Sequence, residues 1–534
     1  MLNPRRLGMW LATVLLLACA AGVAHAQADR ASCEALKSST RFADVLDAPT
    51  SITSATFVDA KPGAPGYCAL EGYVTPTVGF ALWLPTEWNG KLLGRGCGGF
   101  CGIVAGDFAC RDPVRIHYAC VQTDMGHKSG LTDGVWAKHN LQGKFDFGVR
   151  STHVSTVAAK AVMASYYGRP SDLNYFLGCS TGGRQGLMEA QRFPADYQGI
   201  VSVAPALNET GASIQLTWSL LANRADGRNI LSPLKLAMIH AAVVAACDVN
   251  DGLKDGLIGD PRRCRFDPAS LTCRGPDANS CLTPAEVGVV RKIYQGPPNT
   301  AGLPIFTGGA LPGSEWHWDK GYIGQGSMFG PTVAIETDFW RYLGFPEDPG
   351  AGWTLDQFDF ARDPARVGEM EALYNAGNPD LRAFKALGGK LIMAQGMADD
   401  NVVPGGTIDY YRGVQRFMGG EAATFDFARL FLVPGMLHCT SGEGAYAIDY
   451  LSALEGWREK AAPPSVLAGA HPRDGVEIPY LGVGLDLRPA QVAFRRPMFA
   501  YPAMAHYRAG DPDRTESWDA VPYPEANEGR IDDR

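Results

Sequence analysis

After its first 26 residues the chain has no long apolar run. No later stretch reaches the 20 or so apolar residues that a membrane helix requires, so no membrane span is expected. Charge is sparse as well, at 19% of residues, and basic charge is in deficit: 48 Lys and Arg stand against 56 Asp and Glu, for a net charge of −8. An acidic surface repels polyanions, which argues against nucleic acid as a partner. There is no internal repeat, no low-complexity tract and no matched pair of Cys-x-x-Cys knuckles, so zinc is not expected. Histidine is scarce, with only 10 residues.

The first 26 residues carry Arg5 and Arg6, an apolar run over 9–23, and Ala24-His25-Ala26 before Gln27. This is the pattern of a secretory signal peptide cleaved after Ala26, which would place the protein in the periplasm or outside the cell. Lipid attachment at Cys19 is the competing reading; the bulky Leu17 and the downstream Ala-x-Ala site count against it. Losing both arginines moves the net charge from −8 to −10. The remaining chain exceeds what one core usually serves, so two domains, or one with a large insertion, are expected. Cys19 leaves with the leader, and the other 12 of the 13 cysteines form an even set in an oxidising compartment. Short spacings pair Cys33 with Cys68, Cys247 with Cys264, and Cys273 with Cys281. Cys97, Cys101, Cys110 and Cys120 allow three connectivities that spacing does not rank.

Period-two or apolar runs predict strands over 69–74, 80–84, 91–93 and 117–123. Residues 150–167 lack Gly and Pro and repeat apolar positions at helical spacing, predicting a helix. A strand over 174–177, a turn at Ser180, a helix to 192 and a strand over 200–204 form a βαβ unit of a parallel sheet. The rhythm stops over 206–387, a stretch with Trp316, Trp318, Trp340 and Trp353, and resumes with a strand at 390–394, a helix at 407–417 and a strand at 427–433. The chain after Trp457 is Pro-rich and irregular, and its end from 525 is expected to fray. The expected domains are therefore a discontinuous α/β core over 27–205 and 388–534, with residues 206–387 inserted.

Gly178-Cys179-Ser180-Thr181-Gly182 sits on the strand-to-helix turn. Such a turn strains the serine, exposes its hydroxyl at the sheet edge, and aims free helical N–H groups, including that of Thr181, at a developing oxyanion. A serine nucleophile needs a proton acceptor, and His438 follows the last predicted strand through Pro434-Gly435-Met436-Leu437. Cys179 precedes Ser180 and Cys439 follows His438, 260 residues further on. Were these two bonded, their Cα atoms would lie about 5–6 Å apart, with each candidate one residue, about 3.8 Å, away. The third member should be a carboxylate that orients the imidazole. Asp399 and Asp400 both qualify, and the order Ser, Asp, His is that of an α/β-hydrolase. The second oxyanion donor is expected in Gly96-Cys97-Gly98-Gly99-Phe100, at Gly98 or Gly99. A separate loop, 248–257, packs three carboxylates among two glycines inside the expected Cys247–Cys264 bond, a density of hard oxygen donors that suits calcium.

Together these residues resemble the tannase and feruloyl esterase family, which includes the mono(2-hydroxyethyl) terephthalate hydrolases. The likeness rests on Gly-Cys-Ser-Thr-Gly-Gly-Arg-Gln-Gly at 178–186, Gly-x-x-Asp at 396–399 and Val-Pro-Gly-Met-Leu-His-Cys at 433–439. It implies an α/β-hydrolase core with a large inserted lid domain, and a serine esterase cleaving aromatic-acid esters with Ser180 as nucleophile, His438 as base, Asp399 as orienting acid and a Cys179–Cys439 disulfide. It also implies a structural calcium held by the side chains of Asp248, Asp251 and Asp255 and the main-chain oxygens of Leu253 and Leu257. Feruloyl esters are the expected substrates. Galloyl and terephthalate esters are the alternatives, and a non-catalytic, calcium-stabilised binding protein is a remote one. Gln395 departs from the family, many of whose members have a histidine there, which puts a substrate-side contact in doubt. The 496–502 segment lacks a cysteine often found in relatives.

Overall fold

The computed structural model describes residues 29–323 and 332–522. The leader, Cys19 and the end of the chain from 525 lie outside the described residues. Nine strands form one sheet: β1 (Thr50–Val58), β2 (Tyr67–Val74), β3 (Val78–Pro85), β4 (Lys91–Arg95), β5 (Ala119–Thr123), β6 (Leu173–Cys179), β7 (Gly199–Val203), β8 (Lys390–Gly396) and β9 (Ala428–Val433). Their spatial order is β1-β2-β3-β5-β4-β6-β7-β8-β9. The first three strands and the β3/β5 pair are antiparallel, while β5 through β9 run parallel.

The parallel strands are buried on both faces, as crossover helices require. Leu177, Val201, Val203, Ile392, Ala394, Phe431 and Val433 pack under Leu451, Leu454 and Trp457. Their neighbours in sequence, Phe176, Ile200, Leu391, Met393, Leu430 and Leu432, point the other way, onto Leu187, Met188, Ile408, Tyr411 and Val414. Alternation along each strand thus feeds two layers, and each fully buried Leu, Val or Ile contributes about 1.5–3 kcal/mol. The helices of these layers are α1 (Ser151–Tyr167), α2 (Thr181–Arg192), α3 (Pro404–Phe417) and α4 (Tyr450–Lys460). α1 covers the antiparallel end, with Val154, Ala158 and Val162 against Leu70, Phe80, Leu82 and Val121. It stops at Gly168, whose φ of 70° continues the chain in a left-handed turn.

Between β7 and β8 the chain leaves the sheet and contributes no strand to it. The tryptophans of this stretch divide. Trp340 and Trp353 join a cluster with Phe100 and Phe147, whereas Trp318 belongs to a second cluster built on Ile239, Val243, Val290 and Ile293. The apolar helical stretch Pro233–Asp251 is long enough by length and composition to cross a membrane. It carries Lys235 ion-paired to Glu286 at 2.6 Å and packs Ile239 and Val243 inside the second cluster.

Beyond Trp457 the expectation of irregular chain is corrected. Val466–Pro472 pairs with Val492–Phe499, and Ala503–Tyr507 with Trp518–Pro522, as two antiparallel ribbons. Pro472 and Pro497 are tolerated because both strands of a two-stranded ribbon are edges. β1, which the sequence reading did not anticipate, extends the sheet beside β2.

Candidate active site

The groups singled out in the sequence converge at the carboxyl ends of β4, β6, β8 and β9, where open parallel sheets place their sites. β6 ends at Cys179, Ser180 turns at φ 61° and ψ −127°, and α2 begins at Thr181. For a residue with a Cβ that conformation is strained, and surrounding structure has to hold it. The Ser180 N–H donates to the Val203 carbonyl at 3.1 Å, and its own carbonyl accepts from the Arg184 and Ala206 amides. Close packing completes the hold. A Cβ on Gly178 would lie 2.3 Å from the Gly182 carbonyl oxygen, and one on Gly96 would lie 2.5 Å from the Gly182 Cα. β4, β6 and α2 therefore meet only because all three positions are glycine.

His438 lies in the loop after β9, and Asp399 in the loop after β8. These loops are bonded backbone to backbone, the Ala398 N–H donating to the Met436 carbonyl at 3.0 Å. Gly396 lets them approach, since a Cβ there would sit 2.4 Å from the Met436 carbonyl oxygen. His438 Nδ1 is 2.8 Å from Asp399 Oδ2. Asp399 is fully buried, and its Oδ1 accepts the N–H groups of Asn401 at 3.0 Å and Val402 at 2.9 Å. Burial of His438 opposes its charge, but the charge and hydrogen bond of Asp399, with the charge of Asp400 behind them, outweigh that and raise its pKa above the ordinary value.

Asp400 faces elsewhere. Both its oxygens lie 3.1 Å from Nδ1 of His317, a residue of the 206–387 stretch that no sequence motif singles out. Gln395, suspected of a lost substrate contact, is fully buried and donates instead to Asp399 Oδ2 at 3.1 Å.

Cys179 and Cys439 are joined, with S–S 2.09 Å and Cα atoms 5.7 Å apart, and the His438 ring lies within 4.8 Å of both sulfurs. The bonds Cys33–Cys68, Cys247–Cys264 and Cys273–Cys281 are also present. The open question among the other four resolves to Cys97–Cys101 and Cys110–Cys120. The first of these closes the loop after β4. α2 braces it, Gln185 Nε2 donating to Cys97 Sγ at 3.0 Å and Thr181 Oγ1 to the Gly99 carbonyl at 2.8 Å. The amides of Gly98 and Gly99 have no acceptor among the described residues, and a Cβ on Gly98 would meet only open space. Such N–H groups are free to receive an oxyanion.

Among the described residues, two clusters bring three metal-capable ligand atoms within 4.8 Å of one another. In Cys179, His438 and Cys439 both sulfurs are spent in the disulfide. In His153, Glu189 and Asp196, the Lys160 ammonium at 3.1 Å already supplies Asp196 with a cation. The acidic loop has a different character. The Asp248 carboxylate accepts the N–H groups of Asp255 and Gly256, curling the chain around it. Arg496, from the segment expected to be braced by a cysteine in relatives, pairs with Asp255 at 2.5 Å. Asp251 is buried and accepts the Leu253 N–H at 3.0 Å; burial first, then the charges of Asp255 and Asp248, push its pKa up to about 7. The charges of Asp255 and Asp248 beside buried Asp251 are what a hard divalent cation would offset, although Asp255 already has Arg496 as a partner.

Residues 64–521 match the family model described as tannase and feruloyl esterase. The mono(2-hydroxyethyl) terephthalate hydrolase of Piscinibacter sakaiensis is 30% identical, the match covering 92% of this chain and 91% of that protein. A probable feruloyl esterase of Arthroderma benhamiae is 29% identical over 84% of this chain and 83% of its own length. The crystal structure of feruloyl esterase B from Aspergillus oryzae superposes with a TM-score of 0.80 at 25% identity, covering 92% of this chain and all of that one. The chain belongs to the tannase and feruloyl esterase family of carboxylic ester hydrolases.

Proposed function

We propose that the chain hydrolyses esters of aromatic carboxylic acids, feruloyl esters foremost, by acyl transfer through Ser180. The observation that carries this reading is the Asp399–His438 hydrogen bond of 2.8 Å, set beside the disulfide that adjoins Ser180. Ser180 Oγ attacks the ester carbonyl while His438 takes its proton, and Asp399 fixes the tautomer and offsets the charge of the imidazolium. The amides of Thr181 and of Gly98 or Gly99 receive the oxyanion. His438 returns its proton to the departing alcohol, then activates the water that releases the acid.

The expected result of Ser180→Ala is a loss of turnover of about 10⁴-fold or more, with an unchanged circular dichroism spectrum; near-normal turnover would sink the assignment. Labelling of Ser180 by a fluorophosphonate separates an esterase from a binding protein on the same fold. The 30% identity to a terephthalate ester hydrolase favours a second substrate reading. A panel of feruloyl, galloyl and mono(2-hydroxyethyl) terephthaloyl esters, read by product mass, decides among the three, with feruloyl turnover expected to be fastest.

The acidic loop is proposed to hold a structural calcium through Asp248, Asp251, Asp255 and the main-chain oxygens of Leu253 and Leu257. The burial of Asp251 beside the charges of Asp255 and Asp248 supports it. Calcium there would supply charge neutralisation, so chelation should lower the melting temperature. Six disulfides support an oxidising compartment and thus export.

A further inference from the structure

We infer that Gln395 is a positioning residue for the base, holding Asp399 so that its carboxylate presents Oδ2 to His438; this rests on the proposed triad. Gln395 is the last residue but one of β8 and is fully buried, four residues before Asp399. Its Nε2 lies 3.1 Å from Asp399 Oδ2, the same oxygen that meets His438 Nδ1. The rest of the amide is fixed from both ends. Nε2 also faces the carbonyls of Val402 at 3.1 Å and Gly396 at 3.2 Å, while Oε1 accepts the Thr407 hydroxyl at 2.7 Å. A turned amide would set Oε1 against three acceptors and Nε2 against a donor, so only one orientation satisfies the site.

The result is a chain of hydrogen bonds from Thr407, at the start of α3, through Gln395 to Asp399 and on to His438. The backbone amides of Asn401 and Val402 pin Oδ1, and the Gln395 donor is what pins Oδ2 besides the imidazole itself. This donor does two things. It stops the carboxylate from swinging out of the plane of the ring, and it draws electron density from the oxygen that stabilises the imidazolium. Without it Oδ2 becomes a stronger acceptor for His438 alone, so the imidazole holds its proton more tightly while being less well oriented. A residue that merely filled space would not move a titration.

The test uses the full chain with a soluble aryl ester. Gln395→Leu keeps the volume and removes the amide; Thr407→Val keeps Gln395 and removes only the hydroxyl that fixes it. For Gln395→Leu we expect kcat to fall about 10–100-fold with KM changed less than about twofold, and the acidic limb of kcat/KM to move to higher pH. Thr407→Val should move both readouts in the same direction by less, and the double variant should fall short of the sum because the two act through one amide. A kcat and acidic limb like those of the wild type in folded Gln395→Leu would overturn the inference. If that variant does not fold, an unmoved limb in Thr407→Val does so instead. Loss of turnover in Ser180→Ala alongside unaffected Gln395 and Thr407 variants would refute this inference alone, whereas turnover surviving Ser180→Ala would refute the triad beneath it.

Discussion

His438 sets the pH range in which the proposed chemistry runs. Burial works against its protonation, yet Asp399 at 2.8 Å and the nearby charge of Asp400 raise its pKa above the usual 6.5. Only the neutral ring accepts a proton from Ser180, so activity is lost as pH falls through the raised pKa and is present above it. The acidic limb of kcat/KM should therefore have its midpoint above about 6.5; a midpoint below that would mean that another group controls turnover. At this scale the sequence was legible where a motif forces geometry. Gly178 and Gly182 on either side of Ser180 announce the strained turn, because only glycine lets β6, α2 and β4 approach so closely. It was not legible at Asp399 and Asp400, neighbours of the same type. They differ only in which histidine each one meets, and His317 comes from a stretch without a recognisable pattern.

That second aspartate joins two elements, the acid loop after β8 and the inserted 3₁₀ turn Glu315–His317. Asp400 is fully buried, and burial raises its pKa against the opposing hydrogen bond and charge of His317. Removing the partner leaves a buried carboxylate short of a donor, at a cost of about 1–3 kcal/mol. His317→Ala should lower the melting temperature, and His317→Asn, which restores one N–H donor, should recover part of the loss; equal melting of wild type and His317→Ala would show the contact to be idle. The parallel strands and their helices were readable because each is a buried run bounded by Gly, Pro or Asp. The C-terminal ribbons were not, since Pro472 and Pro497 argue against strands wherever the pairing partner is unknown. The same ribbon carries Arg496 to Asp255, so a long-range ion pair stands where relatives suggested a cysteine.

Across the whole molecule, the Cys179–Cys439 bond closes a loop of 260 residues that contains the entire insertion. On chain-entropy grounds alone such a closure stabilises the fold by about 5.5 kcal/mol, and the 35-residue loop of Cys33–Cys68 by about 4 kcal/mol. The two bonds are therefore close in thermodynamic weight but differ in what they hold. Cys33 and Cys68 lie in the cluster at the antiparallel end of the sheet, whereas Cys179 and Cys439 flank the proposed nucleophile and base. A double alanine variant of either pair should melt earlier by a comparable amount. At a temperature where both variants are folded, only Cys179→Ala/Cys439→Ala should lose kcat, because the loop bearing His438 then loses its covalent tie to the residue before Ser180. If both pairs lower kcat alike, the disulfide beside Ser180 acts through global stability, and its place next to the two residues has no bearing on catalysis. If kcat falls only for the inner pair, the crosslink orients the base, and the 260-residue closure serves the site it adjoins.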